Sequence, residues 1–486
     1  MAEIENADAP IKSICYCCIG ESYLANEIKS SGNEAVCDYC SRNAQSIGLD
    51  MLAERIEEAF ADHYVQTANQ PDPWQESLMA DRELGYNWNR EGSPVHEAIQ
   101  EAAGIDEEPA SDLLEILDEK YAPYPDKDNM GEESEFDLDS YYQRRDPSFI
   151  GLHMGWQEFE HSIKTKARFF SRTAEELLAR VLGGADTLKS REGRPLVVDA
   201  GPGTQLDHLY RSRVLQTDDG LMEALCRPDD CIGSPPSKMA RAGRMNAQGI
   251  SVFYGATTAD VAIAEVRPPV GSRVVVAKFD ITRRLRLLDL TAANDVHEEG
   301  SIFDSSFKER LHRAKFLGSL RWRMARPVMP DDEGIDYLPT QAVADFLATT
   351  NTPRLDGIIF PSVQVEEGCN VVLFHESAKV TKKEIPKGMR IAASIGQNSE
   401  EGWEIDYFVT ETMPPPDASK VDGQDVGYLD AIQLFNPPPA PSDDNREETL
   451  KLVTASVEVH HVTWIKINTE SHTVHRYQRV NRPQEF

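Results

Sequence analysis

The chain lacks a long uncharged apolar run, although 40% of its 486 residues are hydrophobic. A membrane-spanning helix needs about 20 consecutive apolar residues, so we expect no membrane partner. The first five residues, Met-Ala-Glu-Ile-Glu, are also unlike the start of a secretory signal peptide. The length indicates two or three domains, and the composition predicts a soluble, cytoplasmic protein.

Basic residues are scarce, above all in the first third of the chain. Residues 1–150 hold 34 acidic and 10 basic residues, and the whole chain carries a net charge of −32. Because an acidic surface repels phosphate backbones, we expect no nucleic-acid partner. The more nearly balanced remainder can still form a basic pocket for a small anionic ligand.

Cysteine is sparse beyond residue 40, since five of the eight cysteines lie within the first 40 residues. Cys15 and Cys18 are separated by two residues, and Cys37 and Cys40 repeat that spacing eighteen residues later. Two such pairs are typical of a tetrahedral four-thiolate zinc site, which is structural because no coordination position stays open. Cys17 makes the choice of ligands ambiguous, and the alternative is reduced cysteines packed in a core.

The periodicity of apolar residues changes near residue 195. Before it, helical spacing prevails, and the segment that ends at Gly183–Gly184 reads as one or two amphipathic helices. Ser111 is predicted to cap a helix, and Asp126–Asp139 is predicted to be a loop or a disordered insert. After it, short strand-like runs alternate with helix-like segments, which indicates an α+β or mixed α/β domain of catalytic size.

The last hundred residues alternate in strand fashion and contain a proline-rich stretch, "FNPPPAPSDDNREE", that we predict to be a linker. The tail is predicted to pair back through a turn at residues 468–471. We therefore divide the chain into a cysteine segment over 1–45, a helical domain over 46–190, a catalytic domain over 195–380 and a β-rich region over 381–486.

Glu265 stands out in the segment "ISVFYGATTADVAIAEV", where a predicted strand leads into a short helix. The neighbours of Glu265 in that helix are alanines and valines. A carboxylate in apolar surroundings is costly unless it is paired or has a function. The simpler alternative is an exposed glutamate or an ion pair with Arg267 or Arg273.

Three ordered blocks resemble the RES domain family: "LYRSRV", "GRMNAQGISVFYGATTADVAIAEV" and "DGIIFPSVQVEEGCNVVLF". The resemblance covers roughly residues 195–380. The cysteine segment and the helical run ending in "ARFFSRTAEELL" resemble the HEPN-like N-terminal region of longer RES proteins. The resemblance implies an α+β fold related to ADP-ribosyltransferases of the diphtheria-toxin type, in which helices surround a mixed β core.

The resemblance also implies an activity, the cleavage of the nicotinamide–ribose bond of NAD by hydrolysis or phosphorolysis. The first alternative is an ADP-ribosyltransferase that modifies a protein. Many family members are bacterial toxins, so an antitoxin or regulatory protein is an expected partner, and a homo-oligomer stays open. A second alternative is a zinc-dependent interaction module whose RES-like core is inactive.

By position, the resemblance assigns a role to eight residues, seven in these blocks and Gln341 in "YLPTQ". The proposed catalytic group consists of Glu265, Arg244, Tyr254 and Ser362. NAD binding is assigned to Arg211, Arg244, Tyr254, Ser362, Asn370, Asn246 and Gln341. One departure from the family pattern is the enlarged link "TDDGLMEALCRPDDCIGSPPSKM", which separates Arg211 from the other blocks and keeps the inactive-core alternative open.

The chemistry of the reaction asks for the same residue types. Positive charge builds on the ribose as the bond breaks, and a fixed carboxylate such as Glu265 stabilises it. Arginine grips phosphate oxygens in pairs, and an aromatic face such as Tyr254 can stack on nicotinamide. Each residue also has a simpler role: Tyr254 in a core, Ser362 in a turn and Arg244 in a surface ion pair.

Two patterns exclude other functions. "GPGTQ" at Gly201 lacks the spacing of a Rossmann fingerprint, so we predict no dinucleotide-binding βαβ unit there. Arg55 and His63 are separated by seven residues, which does not fit the Arg-x(4–6)-His element of RNase-type HEPN domains.

Overall fold

A computed structural model describes residues 12–81, 85–122, 133–146, 150–399, 402–413, 444–466 and 468–477. Residues 126–132 of the predicted acidic loop and residues 435–443 of the predicted linker lie outside this part. The chain divides into two compact units. The first comprises Met1–Val197, Asp289–Arg326 and Asn351–Pro353, and the second comprises Val198–Leu288, Pro327–Thr350 and Arg354–Phe486.

The described helices and strands up to residue 182 are, in chain order, β1 (Ser13–Cys15), α1 (Ser22–Ser31), β2 (Asn33–Val36), β3 (Asn43–Gly48), α2 (Leu49–His63), β4 (Tyr64–Gln66), α3 (Pro73–Ala80), β5 (Ser93–Pro94), α4 (Val95–Ala103), α5 (Glu107–Tyr121), β6 (Tyr141–Arg144), α6 (Ile150–Thr165) and α7 (Arg172–Leu182).

The remaining described elements are β7 (Val197–Ala200), β8 (His208–Leu215), α8 (Asp218–Cys226), α9 (Pro228–Cys231), β9 (Phe253–Ala256), α10 (Ala259–Glu265), β10 (Arg273–Ile281), β11 (Leu285–Asp289), α11 (Phe307–Ala325), α12 (Glu333–Asp336), α13 (Leu338–Thr349), β12 (Gly357–Pro361), β13 (Cys369–Leu373), β14 (Arg390–Ser394), β15 (Gln397–Ser399), β16 (Gly402–Glu404), β17 (Phe408–Thr412), β18 (Leu450–Leu452) and β19 (Glu458–His461).

The first unit packs its helices on a core that the periodicity predicts. In α2, Leu52, Ile56 and Phe60 recur at helical spacing, and all three are buried. They belong to one cluster with buried residues of α4 and α5. A small antiparallel sheet with the strand order β1–β3–β2 carries the cysteine segment.

The predicted end of α7 is confirmed, and the predicted start of α5 is wrong. The helix α7 ends at Leu182, and Gly183 follows it as predicted. The predicted cap at Ser111 is wrong, because α5 begins at Glu107 and the Ser111 hydroxyl donates to the Glu107 carbonyl oxygen inside the helix. Glutamates and a proline suit the first turn of a helix, which moves its start about one turn earlier.

The second unit is built on a sheet with the strand order β18–β10–β8–β9–β13–β12–β11–β7, and β19 also pairs with β10. The pairs of β10 with β8, β18 and β19 are antiparallel, as are those of β13 with β9 and β12. Buried side chains such as Phe253, Phe279 and Leu373 form the core on this sheet. The described part of the chain is therefore a mixture of helices and sheets.

Two strands from the predicted C-terminal region complete this sheet. β18 and β19 lie one after the other along the same edge of β10, from Leu450 opposite Ile281 to His461 opposite Arg273. Residues 468–477 lie outside any strand, so the predicted hairpin of the tail is not seen over that range. The four predicted segment boundaries stay a prediction. Among the described residues, no helix is both long and apolar enough to cross a membrane.

Candidate functional site

Glu265 lies where α10 ends, and two polar side chains from distant parts of the chain contact it. Thr258 caps α10 by accepting a hydrogen bond from the backbone N–H of Val261, which fixes the start of this short helix. The Glu265 Oε1 atom accepts from the Ser362 hydroxyl at 2.7 Å and from the Asn370 amide at 2.7 Å. The structure thus brings three of the predicted site residues together.

The carboxylate of Glu265 has neutral partners. Within the described residues no ion pair includes Glu265, and Arg273 pairs with Asp218 instead. The second oxygen, Oε2, accepts no hydrogen bond from the part of the chain that the structure describes. One oxygen is therefore fixed by two side-chain donors, and the other is not fixed by any residue that the structure describes.

Ser362 combines the turn role and the site role. Its Oγ atom accepts from the backbone N–H groups of Gln364 at 3.1 Å and Val365 at 3.3 Å. Since a hydroxyl has one proton to donate, that proton goes to Glu265. Ser362 therefore holds Glu265 in place, and its donor is not directed at a separate ligand in this arrangement.

Tyr254 lies on β9 next to the strand that carries Asn370. Tyr254 is paired with Val372 of β13, and Asn370 is two residues from Val372, so both side chains are on the same face of the sheet. Diagonal neighbours of this kind are about 7–8 Å apart. Burial raises the pKa of the Tyr254 phenol to about 12, so the group is neutral at physiological pH.

The Tyr254 hydroxyl is tied to the loop that precedes β9. It accepts from the backbone N–H of Met245 at 2.9 Å and donates to the Asn246 Oδ1 atom at 2.8 Å. The Asn246 amide is 3% exposed and donates to three backbone carbonyl oxygens of its own loop. Asn246 therefore organises the loop, and its amide N–H groups do not point to a ligand.

Gly243 allows this loop to approach Tyr254. A Cβ atom at this position would lie 2.7 Å from the Tyr254 hydroxyl oxygen and 2.8 Å from the Asn246 Oδ1 atom. Both distances are shorter than real Cβ contacts, so a larger residue would displace the hydrogen bond between the two side chains. Close packing against Tyr254 and Asn246 therefore explains why a glycine precedes Arg244.

Arg244 is held by the first turn of α13. The Thr340 hydroxyl donates to the Arg244 carbonyl oxygen at 2.5 Å, and the Gln341 amide donates to the Gly243 carbonyl oxygen at 2.8 Å. The Arg244 guanidinium lies over the ring of Tyr337, 5.2 Å from its centre. Gln341 is predicted to bind NAD, and in the structure its amide holds the backbone of the loop that carries Arg244.

Arg211 lies where the sheet opens. β8 and β9 are joined at the pair Tyr210–Ala256, and beyond it β8 continues to Leu215 along β10. A cavity of about 1210 Å³ in this region is lined by Arg211, Tyr254 and Asn246. Among the described residues, Glu265, Ser362 and Asn370 do not line it.

The Arg211 guanidinium is buried without a counter-charge. Its centre lies 5.0 Å from the centre of the Phe253 ring, and the buried Nη1 atom has no hydrogen-bond partner within the described residues. Burial lowers the pKa of Arg211 to about 10, with a smaller contribution of the same sign from Arg213. The group is still a cation at neutral pH, and an anion would complete its surroundings.

The enlarged link after Arg211 forms one wall of this cavity. It folds into α8 and α9, and Glu223, Cys231 and Lys238 are among its residues that line the cavity. The link therefore does not remove Arg211 from Tyr254. Sequence reasoning missed Arg213 and Thr340. Arg213 follows Arg211 by two residues in β8, and this alternation could have indicated it. Thr340 directly precedes Gln341, and that position could have indicated it.

The four predicted cysteine ligands lie together in the first unit. All sulfur atoms of Cys15, Cys18, Cys37 and Cys40 are within 4.8 Å of one another. The shorter separations are 3.5 Å for Cys15–Cys40, 3.8 Å for Cys15–Cys18 and 3.9 Å for Cys18–Cys37. Four sulfurs bound tetrahedrally to zinc at about 2.3 Å would be about 3.8 Å apart, so this group could hold a metal ion. Cys17 is exposed and outside it.

Backbone N–H groups favour the thiolate at one corner of this cluster. Burial alone would raise the pKa of the Cys37 thiol, but N–H groups of Cys15, Tyr39 and Cys40 act against it and bring the pKa down to about 7. The N–H of Cys15 donates to the Cys37 sulfur at 3.3 Å. Such N–H groups suit a metal-bound sulfur, which must be deprotonated.

Comparison with known families identifies two regions of the chain. Residues 225–393 match the RES domain. This range contains seven of the eight predicted site residues and begins after Arg211. The match is consistent with an enzyme that acts on NAD.

Residues 30–176 match the HEPN/RES N-terminal domain 1, and this range contains Cys37 and Cys40 but begins after Cys15 and Cys18. The chain therefore carries a HEPN/RES N-terminal domain followed by a RES domain. No curated protein and no solved structure is detectably similar to the chain.

Proposed function

We propose that this protein cleaves the bond between nicotinamide and ribose in NAD. The observation that carries the proposal is Glu265, whose carboxylate is fixed by two neutral donors on one oxygen and left open on the other. It belongs to the part of the chain that matches the RES domain. The proposed fold of this part is an ADP-ribosyltransferase-like β core with helices, and the opening of the sheet between β8 and β9 supports it.

In the proposed reaction, the bond between C1′ of the ribose and the pyridinium nitrogen breaks. The electron pair leaves with the nitrogen, so nicotinamide departs as a neutral molecule and C1′ becomes positive. The Glu265 carboxylate stabilises that charge. Water then adds to C1′ and loses a proton, which gives ADP-ribose; phosphate adds in its place in a phosphorolysis.

Arg211 is the proposed partner of the NAD pyrophosphate. Its buried Nη1 atom lacks a hydrogen-bond partner in the described part of the chain, and a phosphate oxygen would supply one. Arg244 is the second proposed cation, presented by the loop that Thr340 and Gln341 hold. The Tyr254 ring is proposed to stack on nicotinamide, since its hydroxyl is already engaged.

We propose zinc as the ion of the cysteine cluster. Four thiolates are a donor set that suits zinc, and the sulfur separations fit its tetrahedral geometry. Zinc bound there would cross-link β1, the turn after it and the loop between β2 and β3. It would stabilise the first unit and would take no part in the reaction.

A nicotinamide-release assay tests the function directly. Purified protein is incubated with NAD, and free nicotinamide is measured in wild type, in Glu265→Gln and in the exposed control Glu384→Gln. The proposal requires release by wild type and the control and its loss in Glu265→Gln. No release by wild type, with or without phosphate, would favour the interaction module with an inactive core.

The products distinguish the remaining alternatives. ADP-ribose indicates hydrolysis, ADP-ribose 1″-phosphate indicates phosphorolysis, and a label from NAD that stays on a protein indicates an ADP-ribosyltransferase. Loss of cellular NAD would make the protein a toxin or defence effector. An antitoxin or regulatory protein would then be its proposed partner, and a bound protein that stops nicotinamide release would identify it.

A further inference from the structure

The cavity beside Arg211 is larger than a single small-ligand pocket. Its volume of about 1210 Å³ exceeds the range of roughly 300–1,000 Å³ that is typical of such pockets. The link that carries α8 and α9 supplies part of its lining, including Glu223, Cys231 and Lys238. The cavity therefore has room for more than one anionic group.

The lining of this cavity is rich in positive charge, although the chain has a net charge of −32. Five cationic residues line it, namely Arg211, Arg213, Lys238, Arg241 and Lys382. The acidic residues of the lining are Glu223 and Asp230. Asp230 is already neutralised by ion pairs with Arg227 and Lys382. Such a concentration of one sign inside a cleft attracts anions.

Three of these cations have no carboxylate partner in the described part of the chain: Arg213, Lys238 and Arg241. The Arg213 guanidinium donates to the Cys231 carbonyl oxygen at 2.6 Å, which fixes it to the link and leaves its other N–H groups for a ligand. Arg213 and Arg211 are two residues apart in β8, so both extend from the same face of the strand. Two neighbouring guanidinium groups without an anion repel each other, and a bound phosphate would relieve this repulsion.

We propose that Arg213, Lys238 and Arg241 bind a second phosphate group, next to the pyrophosphate that Arg211 is proposed to hold. The inference rests on the proposed function, since it places this group beside a bound dinucleotide. The phosphate has two chemical sources. It is either part of the ligand, as the 2′-phosphate on the adenosine ribose of NADP, or it is free inorganic phosphate.

Calorimetric titration of the full chain tests this second site without relying on turnover. Wild type is titrated with ADP-ribose, with ADP-ribose that carries the 2′-phosphate, and with inorganic phosphate in the presence of saturating ADP-ribose. The triple variant Arg213→Gln/Lys238→Gln/Arg241→Gln removes the proposed site. The matched control Arg284→Gln/Lys387→Gln/Arg390→Gln removes the same three charges from positions outside the cavity lining, and circular dichroism checks that both variants fold.

If the ligand carries the phosphate, the 2′-phosphorylated compound binds wild type at least about tenfold more tightly than ADP-ribose. If the phosphate is free, the two compounds bind equally and inorganic phosphate binds to the ADP-ribose complex. In either case the effect disappears in the triple variant and persists in the control. The second site is overturned if neither effect occurs in wild type, or if the triple variant retains it.

The outcome is separable from that of the nicotinamide-release assay. Release that depends on Glu265, together with no second phosphate effect, removes the second site and leaves the proposed function standing. A second phosphate effect without release keeps the anion site and removes the proposed function. Comparison of NAD with NADP, each with and without inorganic phosphate, then shows whether the site changes KM in turnover.

Discussion

Two polar clusters, one in each unit, differ in whether all of their ligand atoms face one another. In the cysteine cluster, four sulfurs surround one point, and every donor faces the same centre. In the Glu265 cluster, both neighbouring side chains contact the same carboxylate oxygen, and the other oxygen has no partner among the described residues. A closed donor set holds a fold together, whereas an incomplete one leaves an atom for a substrate.

The largest expected effect is the loss of the metal from the closed cluster. Structural zinc contributes about 10–16 kcal/mol to small zinc domains, so chelation should unfold the region from residue 12 to about 185 before the second unit. Hydrogen exchange followed by mass spectrometry measures this order. Cys37→Ser should reproduce the effect, and the exposed Cys17→Ser is the matched control. A zinc content well below one ion per chain would refute the site.

The open cluster should respond in activity and not in stability. Glu265→Gln keeps the size of the side chain and removes the charge, so nicotinamide release should fall by about 100-fold to 1,000-fold. The melting temperature should stay near that of wild type, because Glu265 takes part in no ion pair in the described part of the chain. Equal turnover by wild type and Glu265→Gln would contradict the proposed role.

A smaller effect is expected from the residue that holds the carboxylate. Ser362→Ala removes the hydroxyl that donates to Glu265 and accepts two loop N–H groups. We expect about a tenfold fall in kcat with KM nearly unchanged, since Ser362 is a positioning residue. Ser362→Thr should restore part of the activity because it keeps the hydroxyl. A large rise in KM alone would instead point to direct contact with NAD.

The smallest expected effect concerns the stability contribution of Arg211. Burial lowers its pKa to about 10 on folding, so above about pH 10 the folded state binds fewer protons than the unfolded state. The resulting destabilisation is complete below about pH 10 and disappears as the pH rises further and the unfolded state also loses the proton.

Arg211→Met should therefore stabilise the protein by about 1 kcal/mol at pH 7, although it weakens ADP-ribose binding. Thermal melting and titration measure the two changes, with Arg284→Met as an exposed control. A stabilised variant that binds ADP-ribose normally would exclude Arg211 from the site.

The sequence predicts those features of the fold and of the clusters that depend on residues close together in the chain. The apolar spacing of Leu52, Ile56 and Phe60 predicts α2, and the paired Cys-x-x-Cys spacing predicts the cysteine cluster. The cap at Ser111 shows the limit of this reasoning, since the same residue type suits a cap and a helix interior when its hydroxyl bonds back to the helix.

The rest of the site depends on contacts between residues far apart in the chain. Ser362 and Asn370 meet Glu265 across about a hundred residues, and family resemblance, not spacing, brings them together in the prediction. Asn246 and Gln341 are predicted to bind NAD, and the amide groups of both donate to backbone carbonyl oxygens. Their amide groups satisfy either role, so only the closure of the loop around Gly243 decides between them.

The pairing of β18 and β19 with β10 has a consequence for the timing of biosynthesis. The edge of β10 is covered by residues 450–461, which the ribosome adds about 170 residues after β10 is complete. At roughly 5–20 residues per second, that interval is about 10–30 s. During it, the central sheet has an exposed edge that can pair with other chains. The sheet that carries the proposed site is thus finished only after residue 461 has been made, which would delay the proposed activity until then.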